Sequence, residues 1–468
     1  MLARRGTWRH AVARNSTAVT THRLDLAPNG TGRVLVSGPG AVLEFRARVD
    51  DARSWEHLVA RIRFDGRPDV GVDVPLRMLG LASEPPYAHA IDSVLSGNDG
   101  QRELWSYYPM PFAESARIEI VNTSGVERGV EIELATWRGA YPQPWGYFTA
   151  TWNRAITSPA GAFRGPRLTN CRGVLRSIVL EDWVDTTGRI PPNIDLTHLE
   201  GDLCVRINGL RGDDHTFDAS ETSIGKWGWY LTPSDLPFQK DGSFNTSVHV
   251  SFHIPGAVAV HRMMGSTLVF DPVQFVDGID VVLEHGVQNL AQAEYGLFAV
   301  LYVQPGAARR TVGELDVGDV AAESGWNAQF GTAPVQPVTS TFFRDQFYGD
   351  APLTDEVRHV VDWYRFRVAS PTLANNRGLC LGFRLDRLRV GSGGLCQARV
   401  YVDGYFAGIL HSFTTNPVEV WKEGGETEVE LPRALTDGKS NFVVEVRPVA
   451  GTQPIRVGNV RVYAYERD

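Results

Sequence analysis

Residues 199–230 read LEGDLCVRINGLRGDDHTFDASETSIGKWGWY, and this stretch combines a strand signal with a candidate site. The acidic turn Leu199–Asp202 precedes the alternating run Leu203–Asn208, which predicts a half-buried β-strand. The acidic, histidine and aromatic residues that follow are Asp213, Asp214, His215, Asp218, Glu221, Trp227, Trp229 and Tyr230. Carboxylates can protonate or attack at an anomeric carbon, and aromatic rings stack on apolar sugar faces. The stretch therefore predicts either a sugar site or an acidic loop beside a packed aromatic strand.

Length and composition favour a large all-β protein. With 468 residues the chain is too long for one ordinary core, so two or three domains are expected. The 47 glycines, 27 prolines and 10% aromatic residues indicate many turns between short strands. Only Pro352–Trp363 (PLTDEVRHVVDW) is predicted as an amphipathic helix.

The charged residues bear on partners and origin. A net charge of −8 argues against nucleic-acid binding by the folded body. Four lysines, at positions 226, 240, 422 and 439, are outnumbered by arginines among the 46 basic residues. We interpret this as a GC-rich coding bias, as in an actinobacterium or one of its phages.

Cysteine spacing and hydropathy predict neither a metal centre nor a membrane anchor. The four cysteines, Cys171, Cys204, Cys380 and Cys396, show no CxxC spacing, so buried free thiols are expected. The basic N-terminus has no apolar signal-peptide core, and no stretch has the length of a transmembrane span. We expect no cofactor and no membrane insertion, with a location in a virion if the gene is phage-encoded and otherwise in the cytoplasm.

Alternating strand segments recur along the chain, as in Val42–Val49 and Leu58–Phe64, and their spacing predicts sandwiches or jelly rolls. The predicted organisation is an N-terminal arm (1–33), a first jelly roll (34–165), a second jelly-roll block with the candidate site (166–310), a linker or long loop (311–345) and a C-terminal β block (346–468). The C-terminal block either completes the second jelly roll or forms a sandwich of its own.

Ten short phrases, in this order, carry a resemblance to a known family. They are Gly38-Pro39-Gly40, Phe64-Asp65-Gly66, Val74-Pro75-Leu76, Tyr108-Pro109-Met110-Pro111-Phe112, Tyr147-Phe148-Thr149-Ala150, Leu199-Glu200-Gly201-Asp202, His261-Arg262, Asp271-Pro272, Leu283-Glu284-His285-Gly286 and Tyr401-Val402-Asp403-Gly404. The set resembles glycoside hydrolase family 172 over nearly the whole chain. The resemblance implies a double β jelly roll like those of viral capsids, a homotrimer with sites near subunit interfaces, and retaining furanosidase chemistry. The family's substrate classes are α-fructofuranosides and D-arabinofuranosides, the latter in mycobacterial cell walls.

The resemblance also assigns catalytic positions. The family's nucleophile motif is Gly-Thr-Gly-Thr-Glu-Asp-Tyr-Phe, and the matching segment Phe217–Ile224 keeps only the glutamate, Glu221. The family's acid/base is a second glutamate further on, but no glutamate occurs here between Glu221 and Glu284. Asp235 and Asp241 are the nearest acids by spacing, and Glu284 is an alternative if the fold brings it close. A retaining enzyme needs two carboxyl groups about 5–5.5 Å apart.

Candidate substrate-binding residues are Trp227, Trp229, Asp218, His215, Tyr108 and Arg262. Further rings that could belong to a sugar platform are Trp105, Tyr107, Trp145 and Trp152, although more than half of all these aromatics are expected in cores or interfaces. His249, His253 and His261 lack a firm further ligand, so no metal site is predicted. The motif Glu284-His285-Gly286 either fixes a turn or acts on substrate.

Two functional classes follow from the sequence. The first is a trimeric, glycan-recognising structural protein of a virion, a minor tail protein of an actinobacteriophage. It contacts other tail proteins and binds arabinofuranose-containing cell-wall polysaccharide of the host. The second is a retaining furanosidase in which Glu221 attacks and Asp241, Asp235 or Glu284 protonates the leaving oxygen. A second carboxylate within about 6 Å of Glu221 would favour the enzyme. An isolated Glu221, or one neutralised by an arginine, would argue against it.

Overall fold

A computed structural model describes most of the chain between residues 17 and 465. The ranges outside the description within those limits are 85–89, 94, 141–144, 159–160, 184–200, 208–213, 220–223, 225–242, 249–260, 269–271, 287–288, 307, 342–351, 371–372, 374–375, 377, 386–394, 414–426 and 453. The described residues form an all-β fold of jelly-roll sandwiches, which confirms the predicted fold class.

The first sandwich is built from the N-terminal strands. They are β1 (Thr17–Leu26), β2 (Thr31–Ser37), β3 (Gly40–Val49), β4 (Leu58–Phe64), β5 (Val72–Pro75), β6 (Ala90–Asp92), β7 (Ser96–Asp99), β8 (Glu103–Ser106), β9 (Met110–Phe112), β10 (Ser115–Asn122) and β11 (Arg128–Arg138). Sheet I has the order β1-β11-β3-β8-β7-β6, with β9 beside β3. It packs on β5, β4, β10 and β2 of sheet II, because alternate residues such as Phe45 and Ile62 are fully buried between them.

The second sandwich shares sheet II with the first. Its strands are β12 (Tyr147–Ile156), β13 (Phe163–Thr169), β14 (Cys171–Trp183), β15 (Asp202–Ile207), β16 (Asp214–Ala219), β17 (Ser243–Val248), β18 (His261–Thr267), β19 (Val273–Phe275), β20 (Gly278–Leu283) and β21 (Glu294–Pro305). Sheet II runs β17-β18-β14-β21-β12-β5-β4-β10-β2, and sheet III runs β13-β20-β15-β16. Successive residues of β14 face different cores: Val179 packs in the first and Leu180 in the second. Sheet II is therefore the layer that joins the two sandwiches.

The C-terminal strands form a sandwich of their own. They are β22 (Arg309–Asp316), β23 (Val335–Thr341), β24 (Pro352–Val360), β25 (Tyr364–Ala369), β26 (Leu379–Leu385), β27 (Leu395–Val402), β28 (Tyr405–Phe413), β29 (Thr427–Leu431), β30 (Asn441–Pro448) and β31 (Ile455–Tyr465). Sheets β23-β24-β31-β26-β29 and β25-β30-β27-β28 enclose a core drawn from residues between Leu315 and Ala464. The described C-terminal strands thus pack around a buried cluster distinct from those of the first two sandwiches.

The short helical segments are the 3₁₀ turns Ala52–Glu56 and Leu76–Gly80 and the α-helices α1 (Val320–Gly325) and α2 (Arg433–Thr436). No helix in the described part of the chain is long and apolar enough to cross a membrane. The four cysteines are free thiols, and all but Cys396 are buried.

Three segments differ from their sequence-based description. The helix predicted over Pro352–Trp363 is wrong, because β24 occupies most of this range and pairs with β23 and β31. Buried Val357 and Val360 imitate a helical face by their spacing, but pairing with neighbouring strands decides the conformation. The predicted arm contains β1, which pairs along its whole length with β11. The predicted linker contains most of β22, which pairs with β31.

Candidate functional site

One end of the second sandwich, which we call the rim, brings the ends of both its sheets together. The rim comprises the described residues within 157–162 and 284–293 and the strand ends beside them. In sheet II, Ile156 at the end of β12 is the Cα partner of Glu294 at the start of β21. In sheet III, Phe163 is the partner of Leu283, the last residue of β20. Two of the connections between the sheets, from β12 to β13 and from β20 to β21, thus lie at this end.

Two rows of residues cross sheet II next to the rim. Glu181 on β14 and Arg154 on β12 are both Cα partners of Gly296 on β21, so the three residues lie side by side. In the next row, Glu294 has Trp183 as its partner on β14. Since paired residues of antiparallel strands project from the same face, this face collects charged and aromatic side chains.

Arg77 and Glu181 form the buried centre of this group. The Arg77 Nη1 and Nη2 atoms lie 3.0 and 2.7 Å from the two carboxylate oxygens of Glu181. Nη1 also donates to the Ala82 carbonyl oxygen at 3.0 Å, and Nη2 to Glu84 Oε1 at 3.2 Å. The side chain of Arg77 is 1% exposed and that of Glu181 0%. A buried charge needs such partners, so this pair fixes the base of the group.

Arg154 forms the outer part of the group. Its Nη1 donates to Glu84 Oε1 at 2.7 Å and its Nε to Glu294 Oε1 at 2.8 Å. Its guanidinium carbon lies 3.9 Å from the centroid of the Trp183 ring, a cation–π distance. Burial alone would lower the pKa of Arg154, but the nearby Glu84, Glu294 and Glu181 carboxylates raise it above its ordinary value. Arg154 is therefore a fixed, permanently charged group.

A glycine leaves the room for a tryptophan between these charges. A Cβ atom on Gly296 would lie 2.0 Å from Cη2 of Trp152, so the indole occupies the space above this residue. The Arg77 guanidinium carbon lies 5.5 Å from the centroid of the same ring. Trp152 is thus held between the strand backbone and the buried arginine. We call Arg77, Glu84, Arg154, Glu181 and Glu294, with Trp152 and Trp183, the arginine–carboxylate cluster.

The cluster offers binding chemistry more than proton transfer. Its outer side chains reach solvent, with exposed fractions of 32% for Arg154, 22% for Glu84 and 16% for Glu294. Each of the three glutamates already accepts hydrogen bonds from a guanidinium group. Charged planar side chains beside indole rings are suited to hydroxyl-rich ligands with apolar faces.

Glu284, the predicted acid/base alternative, lies at the rim but is completely buried. Its Oε2 is 3.3 Å from the Asp202 amide nitrogen, and its own amide nitrogen donates to the Asp202 carbonyl oxygen at 2.9 Å. Gly201 packs so close that a Cβ there would be 1.9 Å from the Glu284 carbonyl oxygen. These contacts support a structural role for the motif Glu284-His285-Gly286, in which it fixes a turn.

His285 also has a structural role, because its ring contacts two segments of the rim. Its buried ring contacts the carbonyl oxygens of Ala291, through Nδ1, and of Gly161, at 2.9 Å through Nε2. Gly161 precedes β13 and Ala291 precedes β21, so the ring ties together the two crossings between the sheets. Its role is to position the rim.

The other predicted site residues are only partly within the description. Glu221, Asp235, Asp241, Trp227 and Trp229 lie outside the described residues. For Asp218, His215 and Arg262 the description covers the backbone: the first two are on β16, and Arg262 on β18 is the Cα partner of Asp182. Ala219, two residues before Glu221 in the sequence, is the partner of Asp202 and so lies at the rim.

Tyr108 is far from any surface that a sugar could reach. It is 3% exposed and belongs to the first core, with its ring 5.9 Å from that of Phe148. Burial raises the pKa of its hydroxyl, and the nearby side chains of Ser177 and Thr267 act in the opposite direction. Trp105 is likewise buried, at 1% exposure. Among the predicted platform rings that the structure describes, Trp152 belongs to the cluster.

The five charged residues of the cluster were absent from the sequence-based candidates. One local signal was available: the two acids Glu181 and Asp182 directly follow the apolar run Ile178–Leu180 and precede Trp183. Acidic side chains are rarely buried without partners, so such a pair marks a functional or structural ionic site. No group of three or more histidine, cysteine, aspartate or glutamate residues suited to a metal ion occurs among the residues described.

Comparison with known proteins gives a family match and remote structural similarities. Residues 16–133 match the family model described as GH172 domain-like. The major capsid protein P2 from Bacteriophage PM2 is similar at 8% identity and a TM-score of 0.31, with 61% of this chain and 98% of that chain covered. The STIV MCP is similar at 9% identity and a TM-score of 0.31, with 61% and 97% covered. The search of curated proteins found no match.

Proposed function

On the premise that residues 16–133 form a GH172 domain-like region, we propose that this protein recognises glycans through the arginine–carboxylate cluster and does so as a structural component of a virion. The observation that supports recognition is the cluster itself, in which two guanidinium groups hold three carboxylates beside two indole rings. Such a surface binds sugar hydroxyls and apolar sugar faces without changing a covalent bond.

The state of the carboxylates favours binding over hydrolysis at this cluster. A retaining glycosidase needs one carboxyl group that attacks and another that first donates a proton. Here Glu84 Oε1 already accepts from both Arg77 and Arg154, and Glu181 is held by two bonds from Arg77. The altered segment Phe217–Ile224, which lacks the glycines of the family's nucleophile motif, supports the same conclusion.

The finer proposal concerns the assembly and the ligand. The protein is a trimeric minor tail protein of an actinobacteriophage, in contact with other tail proteins, and its ligand is arabinofuranose-containing glycan of the host cell wall. The arginine-rich composition supports the actinobacterial host, and the furanoside substrates of the resembling family support the ligand. Immunogold labelling of purified virions tests the location. Label at the tail tip is expected, and virions without the protein would refute the tail assignment.

Glycan binding is tested with mycobacterial arabinogalactan in a pull-down or by calorimetry. We expect the wild type to bind and Arg154→Ala to bind at least about tenfold more weakly, because hydrogen bonds that involve a charged group are lost. The matched control is Arg33→Ala, an arginine on β2 whose side chain is 69% exposed and paired with Glu119. Equal binding by all three proteins would refute recognition by the cluster.

The second candidate is an active furanosidase with Glu221 as nucleophile. It is supported by the positions of Ala219, Asp202 and Glu284 at one end of sheet III. The test is release of reducing sugar from arabinogalactan and from p-nitrophenyl α-D-arabinofuranoside by the wild type, Glu221→Gln and Glu284→Gln. Activity that Glu221→Gln abolishes would establish the enzyme. Retained binding without activity in the wild type would establish a recognition protein.

A further inference from the structure

Arg154 and Glu84 are linked by one hydrogen bond. Each side chain also has one polar atom that makes no hydrogen bond to a described residue. Arg154 uses Nε for Glu294 and Nη1 for Glu84, and its Nη2 makes no hydrogen bond to a described residue. Glu84 accepts from both Arg77 and Arg154 through Oε1, and its Oε2 makes none within the same residues. A donor and an acceptor therefore remain on two groups already in contact.

These two side chains form the outer edge of the cluster. Arg154 is 32% exposed and Glu84 22%, whereas Arg77 and Glu181 beneath them are buried to 1% and 0%. The two remaining polar atoms thus belong to the part of the cluster that a solute can reach. The buried pair keeps this outer part in place.

The outer pair is also held rigidly before any ligand arrives. The Trp183 ring lies against the Arg154 guanidinium at 3.9 Å, and two carboxylates fix its orientation. The Arg77 Nη2 atom holds Glu84 from the other side at 3.2 Å. A ligand that binds here does not have to order these side chains, which lowers the entropic cost of binding.

We propose that Arg154 and Glu84 recognise a vicinal diol of a neutral sugar. One hydroxyl donates to Glu84 Oε2, and the hydroxyl on the neighbouring carbon accepts from Arg154 Nη2. Hydrogen bonds with a charged partner are the stronger ones, so the pair selects for both hydroxyls together. This inference rests on the proposed glycan recognition and names the part of the sugar that determines specificity.

The charges of the cluster favour a neutral ligand. A phosphate or carboxylate ligand would place its negative charge beside the Glu84 and Glu294 carboxylates, which are partly exposed at the outer edge. An ammonium group would compete with Arg154 for carboxylates that it already binds at 2.7 and 2.8 Å. A diol uses the unoccupied atoms and leaves every existing ion pair intact.

The test compares intact and modified sugars on the wild-type protein. The probes are methyl α-D-arabinofuranoside, its 2-deoxy and 3-deoxy analogues, and arabinogalactan before and after periodate oxidation, which cleaves vicinal diols. We expect each deoxy analogue to bind about tenfold or more weakly than the parent, and oxidised arabinogalactan to lose binding. Because no variant is needed, folding defects cannot disturb this comparison.

Variants of Arg154 and Glu84 then test whether these two residues cause the preference for the intact sugar. Glu84→Gln and Arg154→Lys are expected to reduce the preference for the intact sugar over the deoxy analogues. Glu445→Gln, in an exposed pair with Arg447 on the C-terminal sandwich, should retain the full preference. Equal binding of intact and deoxy sugars by the wild type would overturn the diol inference and leave glycan recognition standing. No binding of any glycan would overturn both.

Discussion

Arg77 and Glu181 form a two-bond ion pair with nitrogen–oxygen distances of 3.0 and 2.7 Å, and neither side chain is more than 1% exposed. Arg77 lies in the 3₁₀ turn Leu76–Gly80 that follows β5, and Glu181 lies on β14 of the second sandwich. The pair therefore connects the part of sheet II that closes the first core with the part that carries the rim. We therefore expect changes in these two residues to affect both stability and the proposed glycan binding.

Arg77→Met is expected to destabilise the protein by about 3–5 kcal/mol, because it removes both guanidinium bonds to the buried Glu181 carboxylate. The double variant Arg77→Met/Glu181→Met should recover a large part of the loss, since it buries no charge. Urea unfolding of the wild type, both single variants and the double variant measures the coupling. Arg67→Met, which removes an exposed pair with Asp69, is the control and should cost less than about 1 kcal/mol. If the double variant lost as much stability as the two single variants together, Arg77 and Glu181 would not be energetically coupled.

Gly296→Ala is expected to displace Trp152, because the added Cβ would lie 2.0 Å from Cη2 of the indole. Overpacking of this kind costs about 1–3 kcal/mol, and glycan binding should fall with it. Trp152→Leu in the same background should restore stability without restoring binding. Gly125→Ala is the matched control, since a Cβ there meets no atom within 4 Å. Binding by Gly296→Ala at the wild-type level would exclude Trp152 from the site.

Local sequence patterns were sufficient for the strands and insufficient for the cluster. The alternating segments Val42–Val49 and Leu58–Phe64 lie within β3 and coincide with β4, because a half-buried strand needs a period of two. In Pro352–Trp363 the same kind of reasoning failed, since partners far along the chain determine that strand. Sequence order alone does not reveal those partners.

The arginine–carboxylate cluster could not be predicted from local sequence patterns either. Arg154 lies 70 positions from Glu84 and 140 positions from Glu294 in the sequence. The three residues meet only because β12 lies between β5 and β21 in sheet II. The resemblance to family 172 could indicate the kind of ligand but not this arrangement. The predicted residue Glu284 does lie at the rim, where its contacts with Asp202 are those of a structural group.

Asp65 should make the first sandwich sensitive to acid. Burial alone would raise its pKa, but hydrogen bonds from the amides of Ser115, Ala113 and Glu114 and from the Tyr147 hydroxyl lower it below the ordinary value of 3.8. Because the folded pKa is the lower one, this stabilisation is complete above pH 3.8 and disappears as the pH falls through the folded pKa. Asp65→Asn is expected to be less stable by about 1 kcal/mol at pH 6 and to approach the wild type as the pH falls through the folded pKa.

Unfolding midpoints of wild type and Asp65→Asn between pH 2 and pH 6 measure this effect. Tyr147→Phe removes a single bond to the same carboxylate and should show a smaller change of the same sign. Burial, and then Asp65, raise the pKa of Tyr147 to about 12, so its hydroxyl remains protonated over the whole range. If the difference in unfolding midpoint between wild type and Asp65→Asn did not change with pH, the ionised Asp65 carboxylate would not be the source of the stabilisation.

Arg309 should hold the C-terminal sandwich to the second one. Its Nε lies 2.9 Å from Asp277 Oδ2, in the turn between β19 and β20, and its Nη2 lies 2.5 Å from Glu428 Oε1 on β29. The Arg309 side chain is 1% exposed. Burial raises the pKa of the Asp277 carboxyl, and Arg309 is the main group that opposes this. Arg309→Met therefore leaves two partly buried carboxylates without their cation.

We expect Arg309→Met to lower the stability of the C-terminal sandwich by about 3–5 kcal/mol and to separate its unfolding from that of the rest. Differential scanning calorimetry should then show two transitions in place of a more cooperative one, with the earlier transition assigned by limited proteolysis. Arg433→Met is the control, because its pair with Asp437 is about half exposed and at 3.5 Å. That variant should change stability by less than about 1 kcal/mol. If both variants melted like the wild type, the buried contact between Arg309, Asp277 and Glu428 would not be what joins the two sandwiches.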